Sequence, residues 1–407
     1  MGYVTDHAPL AADLSRCVQC GLCLPYCPTF RLTKRESASP RGRIAAMSAV
    51  LEGIAPVDEA FDEALSFCLG CRACEAACPS LVPYGRLFEG ARAELAAQRP
   101  TPSRRLRRMA LGRALEWRRF IALSTRLATI AQRTGLAQVL PGPARRGLAG
   151  LRPLRQAKSS VGRTVEPSGV PTGTVALLAG CVMDAWFGPV HEATIGVLTT
   201  AGFRVTVPEG QTCCGALAAH DGSTSDARRM AGRNVEAFAD VDLIVSDSAG
   251  CTAHLKEYGH WHAGGDSLAS RTRDVTELVA SLLAEGILPR LATRGEEVAM
   301  QDPCHLRHAQ RIVAAPREIV RAAGLTPIEI DPDGLCCGAA GVYSVLRPET
   351  SDELGRRKAD QVRGTAVHLV ASANPGCEMQ LRSHLGTGYR IAHPVELYWE
   401  ALRASQL

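Results

Sequence analysis

A chain of 407 residues, 46% hydrophobic and 21% charged, is globular and long enough for roughly two to four domains, which excludes a disordered or fibrous protein. Sixteen cysteines in a chain this long exclude a disulfide framework, which belongs to short secreted domains. The formal charge of +5 conceals an asymmetry: residues 99–163 carry fifteen Arg, Lys158 and a single acid, Glu116, so the rest of the chain is net acidic. The first residues lack a basic stretch followed by an apolar one, and no apolar run approaches the ~18 residues of a membrane span. The expected compartment is the reducing cytoplasm.

Residues 1–95 form the first predicted unit. Cys17, Cys20, Cys23 and Cys27, followed by Pro28, have the spacing of the bacterial iron–sulfur run. The run recurs at Cys68, Cys71, Cys74 and Cys78, followed by Pro79. A tight loop lets three thiolates reach three corners of one cluster, while the fourth cysteine leaves with the next helix and ligates the other. The expected ligand sets are therefore Cys17, Cys20, Cys23 and Cys78 for one [4Fe-4S] cluster, and Cys68, Cys71, Cys74 and Cys27 for a second. A pair of zinc sites is the competing assignment, but zinc usually takes paired C-x₂-C hooks with a long spacer. Between the runs, a helix opening at Pro40 and another over Asp58–Phe67 predict an α-helical two-cluster domain. Arg41 and Arg43 either face the clusters or form an ordinary solvated pair.

Residues 96–170 read as a basic linker with helical content. Leu106, Met109, Ala110, Trp117, Phe120, Ile121 and Leu127 fall on one side of a helical wheel and seven arginines on the other. Such a helix, spanning 99–133, either contacts a membrane surface peripherally or docks on protein with its arginines solvated. No nucleic-acid motif accompanies the charge, so nucleic acid is not expected as a partner. Pro141-Gly142-Pro143 should end the helical part, and the stretch from Arg145 to Gly173 reads as a flexible join.

Residues 171–285 and 286–407 are two copies of one unit. Cys181, Cys213-Cys214-Gly215 and Cys251 are answered by Cys304, Cys336-Cys337-Gly338 and Cys377, at offsets of 123, 123 and 126 residues. A duplication of this period gives two similar domains. Short apolar runs ending in Gly or Pro, such as 175–180 and 369–376, predict buried parallel strands, and sites in open α/β sheets form beyond the carboxyl ends of strands. The fold class expected is α + α/β: a helical two-cluster domain, a basic helical linker and a duplicated α/β pair facing each other. The eight cysteines of the pair either hold metal or are buried, redox-active thiols. His305, next to Cys304, is a candidate for an acceptor site, for a ligand or for plain packing; Asp302 and His220 pose the same question.

The twin runs, Ser39-Pro40-Arg41-Gly42-Arg43-Ile44, Asp302-Pro303-Cys304-His305-Leu306 and the stretch from Cys336 to Ser344 together resemble the iron–sulfur subunits of bacterial glycolate oxidases, of the wider group with tandem CCG domains. The resemblance implies a chain that takes electrons from FAD-containing partner subunits and passes them toward a membrane quinone, at the cytoplasmic face of the inner membrane. Glycolate would be oxidised to glyoxylate on the partner. Relatives acting with lactate, glycerol-3-phosphate or heterodisulfide complexes share the plan. In the fullest CCG pattern each copy ends in C-x-x-C; here the first of those positions is Ser248 or Asn374, so a conventional additional cluster at these domains is easier to build than the non-cubane form. With no Gly-rich dinucleotide fingerprint and no P-loop, a flavin in this chain is not expected.

Overall fold

The computed structural model describes residues 2–134, 139, 142–153 and 159–406. The N-terminal domain is helical, with no strand among its described residues. Its helices Pro40–Leu51, Glu59–Ser66 and Tyr84–Gln98 enclose Ile44, Met47, Val50, Phe61, Leu65 and Leu87. Each start is set locally. The Ser39 hydroxyl accepts from the Gly42 amide with Pro40 at the first helical position, and the Asp58 carboxylate accepts from the Phe61 amide.

The basic segment departs from a single amphipathic helix. Helix Pro102–Met109 is followed by a π-turn at Ala110–Ala114 and a break, then by helix Arg118–Thr134. The predicted apolar side is thereby divided. Ile121 is buried, whereas Leu106, Met109, Trp117, Phe120 and Leu127 are exposed. Several arginines point inward. Arg104 pairs with Asp62, Arg107 with Asp221, and Arg108 donates to the Ala96 carbonyl.

Pro141-Gly142-Pro143 does not end the helical part: a further helix, Gly142–Gly150, packs on helix Pro375–Leu385. There, a Cβ on Gly150 would fall 2.4 Å from the Met379 carbonyl oxygen. The expected flexible join is likewise tied down at both ends of its described part. Arg152 makes 2.6 Å contacts with Glu378 and Glu396, and a short strand follows at 164. The middle of the join, 154–158, lies outside the described residues.

Two sheets follow. The first contains β1 (Thr164–Val165), β2 (Gly173–Leu177), β3 (Phe203–Thr206), β4 (Leu243–Ser246) and β5 (Thr272–Asp274), in the order β1-β3-β2-β4-β5. The second contains β6 (Glu297–Gln301), β7 (Thr326–Glu329), β8 (Leu369–Ser372) and β9 (Arg390–Ala392), in the order β7-β6-β8-β9. All pairings are parallel except β1 with β3. Registers agree between copies, Ala176 pairing with Thr206 and Ile244 as Ala299 pairs with Ile328 and Val370. The copies share one core. Val175, Leu177 and Val197 pack in the same apolar cluster as Val298, Met300, Ile319 and Tyr398. Helix Pro394–Ser405 of the second copy lies against Gly188–Thr200 of the first, where Gly196 leaves room for Trp399.

Candidate iron–sulfur and thiol sites

Cys17, Cys20, Cys23 and Cys78 line one recess of the N-terminal domain; Cys27, Cys68 and Cys71 line a second, and Cys74 borders both. Both cysteine loops wind through left-handed backbone at matching positions. Gln19 and Gly21 in the first loop (φ 58° and 83°) correspond to Gly70 and Arg72 in the second (64° and 61°). Glycine adopts such angles without steric cost, and the non-glycine partner in each loop is held there by the fold. Cys27 then caps helix Pro28–Thr33, which carries it away from its own loop.

The recesses suit an anionic, thiolate-bound cluster. Neither is lined by a carboxylate, and each has an arginine in its wall. Arg41 borders the first recess and donates to the Gln19 carbonyl at 3.1 Å. Arg43 borders the second, fully buried, donating to the Ala64 carbonyl at 2.7 Å and to Thr29 Oγ1 at 3.1 Å. Both arginines thus face the cysteine loops. Cys68 Sγ receives the Gly70 amide at 3.4 Å and the Tyr84 hydroxyl at 3.6 Å. Burial pushes the Cys71 and Cys74 thiols above the usual range, the direction expected of sulfurs that ionise only on binding a metal. Among the described residues, no group of three or more His, Cys, Asp or Glu is spaced for a single ion.

In each α/β copy the four cysteines meet beyond the strand ends. Cys181 and Cys213 have their sulfurs 3.5 Å apart, with Cys214 and Cys251 continuing the contact. In the second copy Cys304, Cys336, Cys337 and Cys377 form the same chain. Cys181 and Cys304 stand at helix starts after β2 and β6, Cys251 and Cys377 in the first turns of helices Ala249–Leu255 and Pro375–Leu385, and the other four in the paired Cys-Cys-Gly loops, where Gly215 and Gly338 sit at φ 90° and 86°. Ser248 and Asn374, which replace the extra cysteines, approach each other between the copies. Asn374 Oδ1 accepts from the Gly250 amide at 3.1 Å and lies 3.4 Å from the Ser248 hydroxyl, and the Ala249 amide donates to the Ala373 carbonyl.

His305 and His220 come together as sequence spacing alone could not indicate. Their rings stack 5.7 Å apart in a recess between the N-terminal domain and both copies. Three further groups there had no motif to announce them: His254, Glu89 and Arg72. Glu89 Oε1 lies 2.8 Å from His220 Nδ1; burial opposes its charge, but this bond draws the carboxyl down to about 2. Burial lowers His254 to about 4, and its Nε2 has no hydrogen-bond partner among the described residues. Free space at the centre amounts to about 10 Å³, room for one water. Asp302 is instead structural, paired with Arg307 and Arg317.

The N-terminal domain's second loop touches the second copy directly. Leu69, Cys71 and Ala73 pack in one apolar cluster with Cys336, Tyr343 and Leu354, and Cys304 borders it. Arg72 pairs with Glu257, Arg92 with Asp221 and Arg347 with Glu63, fixing the domain against both copies.

A helical two-cluster ferredoxin domain joined to a duplicated cysteine-rich α/β pair defines an iron–sulfur protein of the electron-transferring kind. The 4Fe-4S dicluster domain family matches residues 13–82, and the cysteine-rich CCG domain family matches 175–256 and 298–382. The probable glycolate oxidase iron–sulfur subunit of Bacillus subtilis (strain 168) is 34% identical, covering 96% of this chain and 94% of that one. The glycolate oxidase iron–sulfur subunit of Escherichia coli (strain K12) is 32% identical over 97% and 96%. Lactate utilization protein A of Bacillus subtilis (strain 168) is 29% identical over 52% of this chain and 92% of that protein. The chain belongs to the glycolate oxidase iron–sulfur subunit family. As expected from sequence, its cofactors are iron–sulfur clusters. No helix among the described residues is long and apolar enough to cross a membrane.

Proposed function

We propose that this chain is the electron-transfer subunit of a glycolate-oxidising complex. An FAD-containing partner converts glycolate to glyoxylate, releasing two electrons and two protons, and this chain passes the electrons singly toward a membrane quinone. Glycolate is favoured over lactate because the glycolate oxidase relatives match nearly end to end, the lactate utilization protein over about half of this chain.

Cys17, Cys20, Cys23 and Cys78 hold the first [4Fe-4S] cluster, and Cys27, Cys68, Cys71 and Cys74 the second, as the two recesses suggest. Such clusters supply reversible one-electron chemistry. The chain's own part is to keep the thiolates dry, to neutralise them with Arg41 and Arg43, and to set a direction of travel. The observation that carries the relay is the packing of the Cys68–Cys74 loop against Cys304 and Cys336. It supports a second cluster site beside the thiols of the second copy, with the first copy reached across Ser248 and Asn374. Four thiols per copy suffice for a further cluster there.

The test is an anaerobic preparation titrated with dithionite. At least two paramagnetic signals are expected, those of the N-terminal clusters, one of them lost in Cys71→Ser and both kept in Cys336→Ser/Cys337→Ser. A colourless, silent wild-type protein would overturn the proposal, and zinc in place of iron would make the chain a scaffold.

A second reading gives the paired copies an acceptor site of their own. The recess of His220, His254 and His305 beside Cys304 favours it. Under that reading the Cys336→Ser/Cys337→Ser complex loses turnover with its quinone acceptor. A relay with its dye exit at the N-terminal clusters keeps dye reduction.

A further inference from the structure

We propose that the outward face of the second helix of the arginine-rich segment, carried by Phe120, Leu123, Leu127 and Ile130, is a docking surface for an anionic lipid bilayer. These four side chains are 47–60% exposed. Phe120, Leu123 and Leu127 are spaced three and four apart, so they share one face of the 17-residue helix Arg118–Thr134. Ile130, 54% exposed, continues that face.

The opposite face is already occupied. Ile121, Thr125 and Thr129 are buried, and the Trp186 indole donates to Thr125 Oγ1 at 2.9 Å. Arg229 holds the π-turn by donating to the Gly112 carbonyl at 2.7 Å. The segment is therefore anchored with its second apolar stripe turned away from the body, where nothing among the described residues covers it. An exposed stripe of large apolar side chains is costly in water and marks a surface that meets something.

Charge identifies the occupant. Glu116, the single acid of residues 99–163, is turned inward to Arg229 and is only 10% exposed. Arg105, Arg113, Arg126 and Arg133 are exposed and have no carboxylate partner among the described residues. The arginines interleave with the apolar residues: Arg105 precedes Leu106, and Arg126 precedes Leu127. A protein interface usually gathers its apolar residues into a core with charges at the rim. An interfacial helix instead sinks apolar side chains below the headgroups while its arginines reach phosphates at that level. Without a spanning helix among the described residues, attachment through this face is peripheral and reversible. The docking surface is independent of the relay order proposed above.

The full-length chain is sedimented with vesicles of phosphatidylcholine alone, or with one third phosphatidylglycerol. Binding to the second kind and not the first is expected, fading at 1 M salt, where screening contracts to about 3 Å. Arg126→Gln and Arg133→Gln should each weaken binding roughly fivefold, the worth of one basic residue near an anionic surface. Leu123→Glu/Leu127→Glu should abolish it while circular dichroism and cluster absorbance stay at wild-type values, since both positions face water. Indifference of the wild type to anionic vesicles overturns the proposal. So does unchanged binding by the leucine variant. Loss of the flavoprotein subunit on co-purification of that variant, with vesicle binding intact, would reassign the face to a protein partner.

Discussion

Tyr84 shows how a single side chain shapes a redox site. It borders both cluster recesses, and its hydroxyl donates to Cys68 Sγ at 3.6 Å. A hydrogen bond to a ligating sulfur stabilises the reduced cluster and raises its potential. Tyr84→Phe should therefore lower the midpoint of the cluster proposed at Cys68 and leave the other nearly unchanged, as read by a potentiometric titration followed by paramagnetic resonance. His393 gives a residue-scale effect of a different kind. Burial lowers its imidazole to about 4, because the charged form has no solvent in this site. The unfolded chain takes up that proton near 6.5, so the stabilisation is complete above pH 6.5 and is lost as pH falls toward 4. The loss is about 3 kcal/mol over that window. His393→Asn keeps a capping side chain for helix Pro394–Ser405 and should flatten that part of the melting-temperature profile.

At this scale the sequence announced the thiols and missed their neighbours. Cysteine spacing is a local code, since a tight loop must place its thiols at fixed intervals, and all sixteen positions stand out from it. His254, Glu89 and Arg72 carry no such code. They reach His220 and His305 only because three separate units of the chain converge.

Elements were legible where periodicity and caps agreed. Pro40–Leu51 and Glu59–Ser66 begin where Ser39 and Asp58 offer capping oxygens, and β2 and β8 follow from apolar runs that end in Gly or Pro. A single helical wheel fails across the basic segment because the π-turn resets the phase of every later residue. The join beyond it, rich in Gly, Pro, Ser and Arg, reads as flexible, yet Arg152 ties down its first described part. Arg152 bridges Glu378 and Glu396, whose side chains are 2% and 10% exposed. Arg152→Ala would leave two buried carboxylates short of a counterion, and Arg382 would compensate for Glu378 only in part. A loss of about 3 kcal/mol is expected, seen as a lower urea midpoint by tryptophan fluorescence.

For the whole molecule, the arrangement of units was legible and their docking was not. Cys71 beside Cys304 is a contact between residues far apart in the chain, and no pattern along the sequence encodes it. The docking depends on buried charge. Asp221 is 1% exposed and pairs with both Arg92 and Arg107. Asp221→Ala leaves two largely buried guanidinium groups without their carboxylate and should loosen the N-terminal domain from the pair. Limited proteolysis near residues 99–102 should accelerate roughly tenfold or more, with the α/β pair still folded.

The common core of the two copies also bears on how the polypeptide matures. Helix Gly188–Thr200 is synthesised some two hundred residues before Pro394–Ser405, the helix that covers it. At a translation speed of about 5–20 residues per second, that apolar flank stays naked on the ribosome for roughly ten seconds or more. Nascent chains of this protein should therefore recruit holdase chaperones until the last turn emerges. Stopping translation after His393 should yield aggregated material, however intact its cysteine loops.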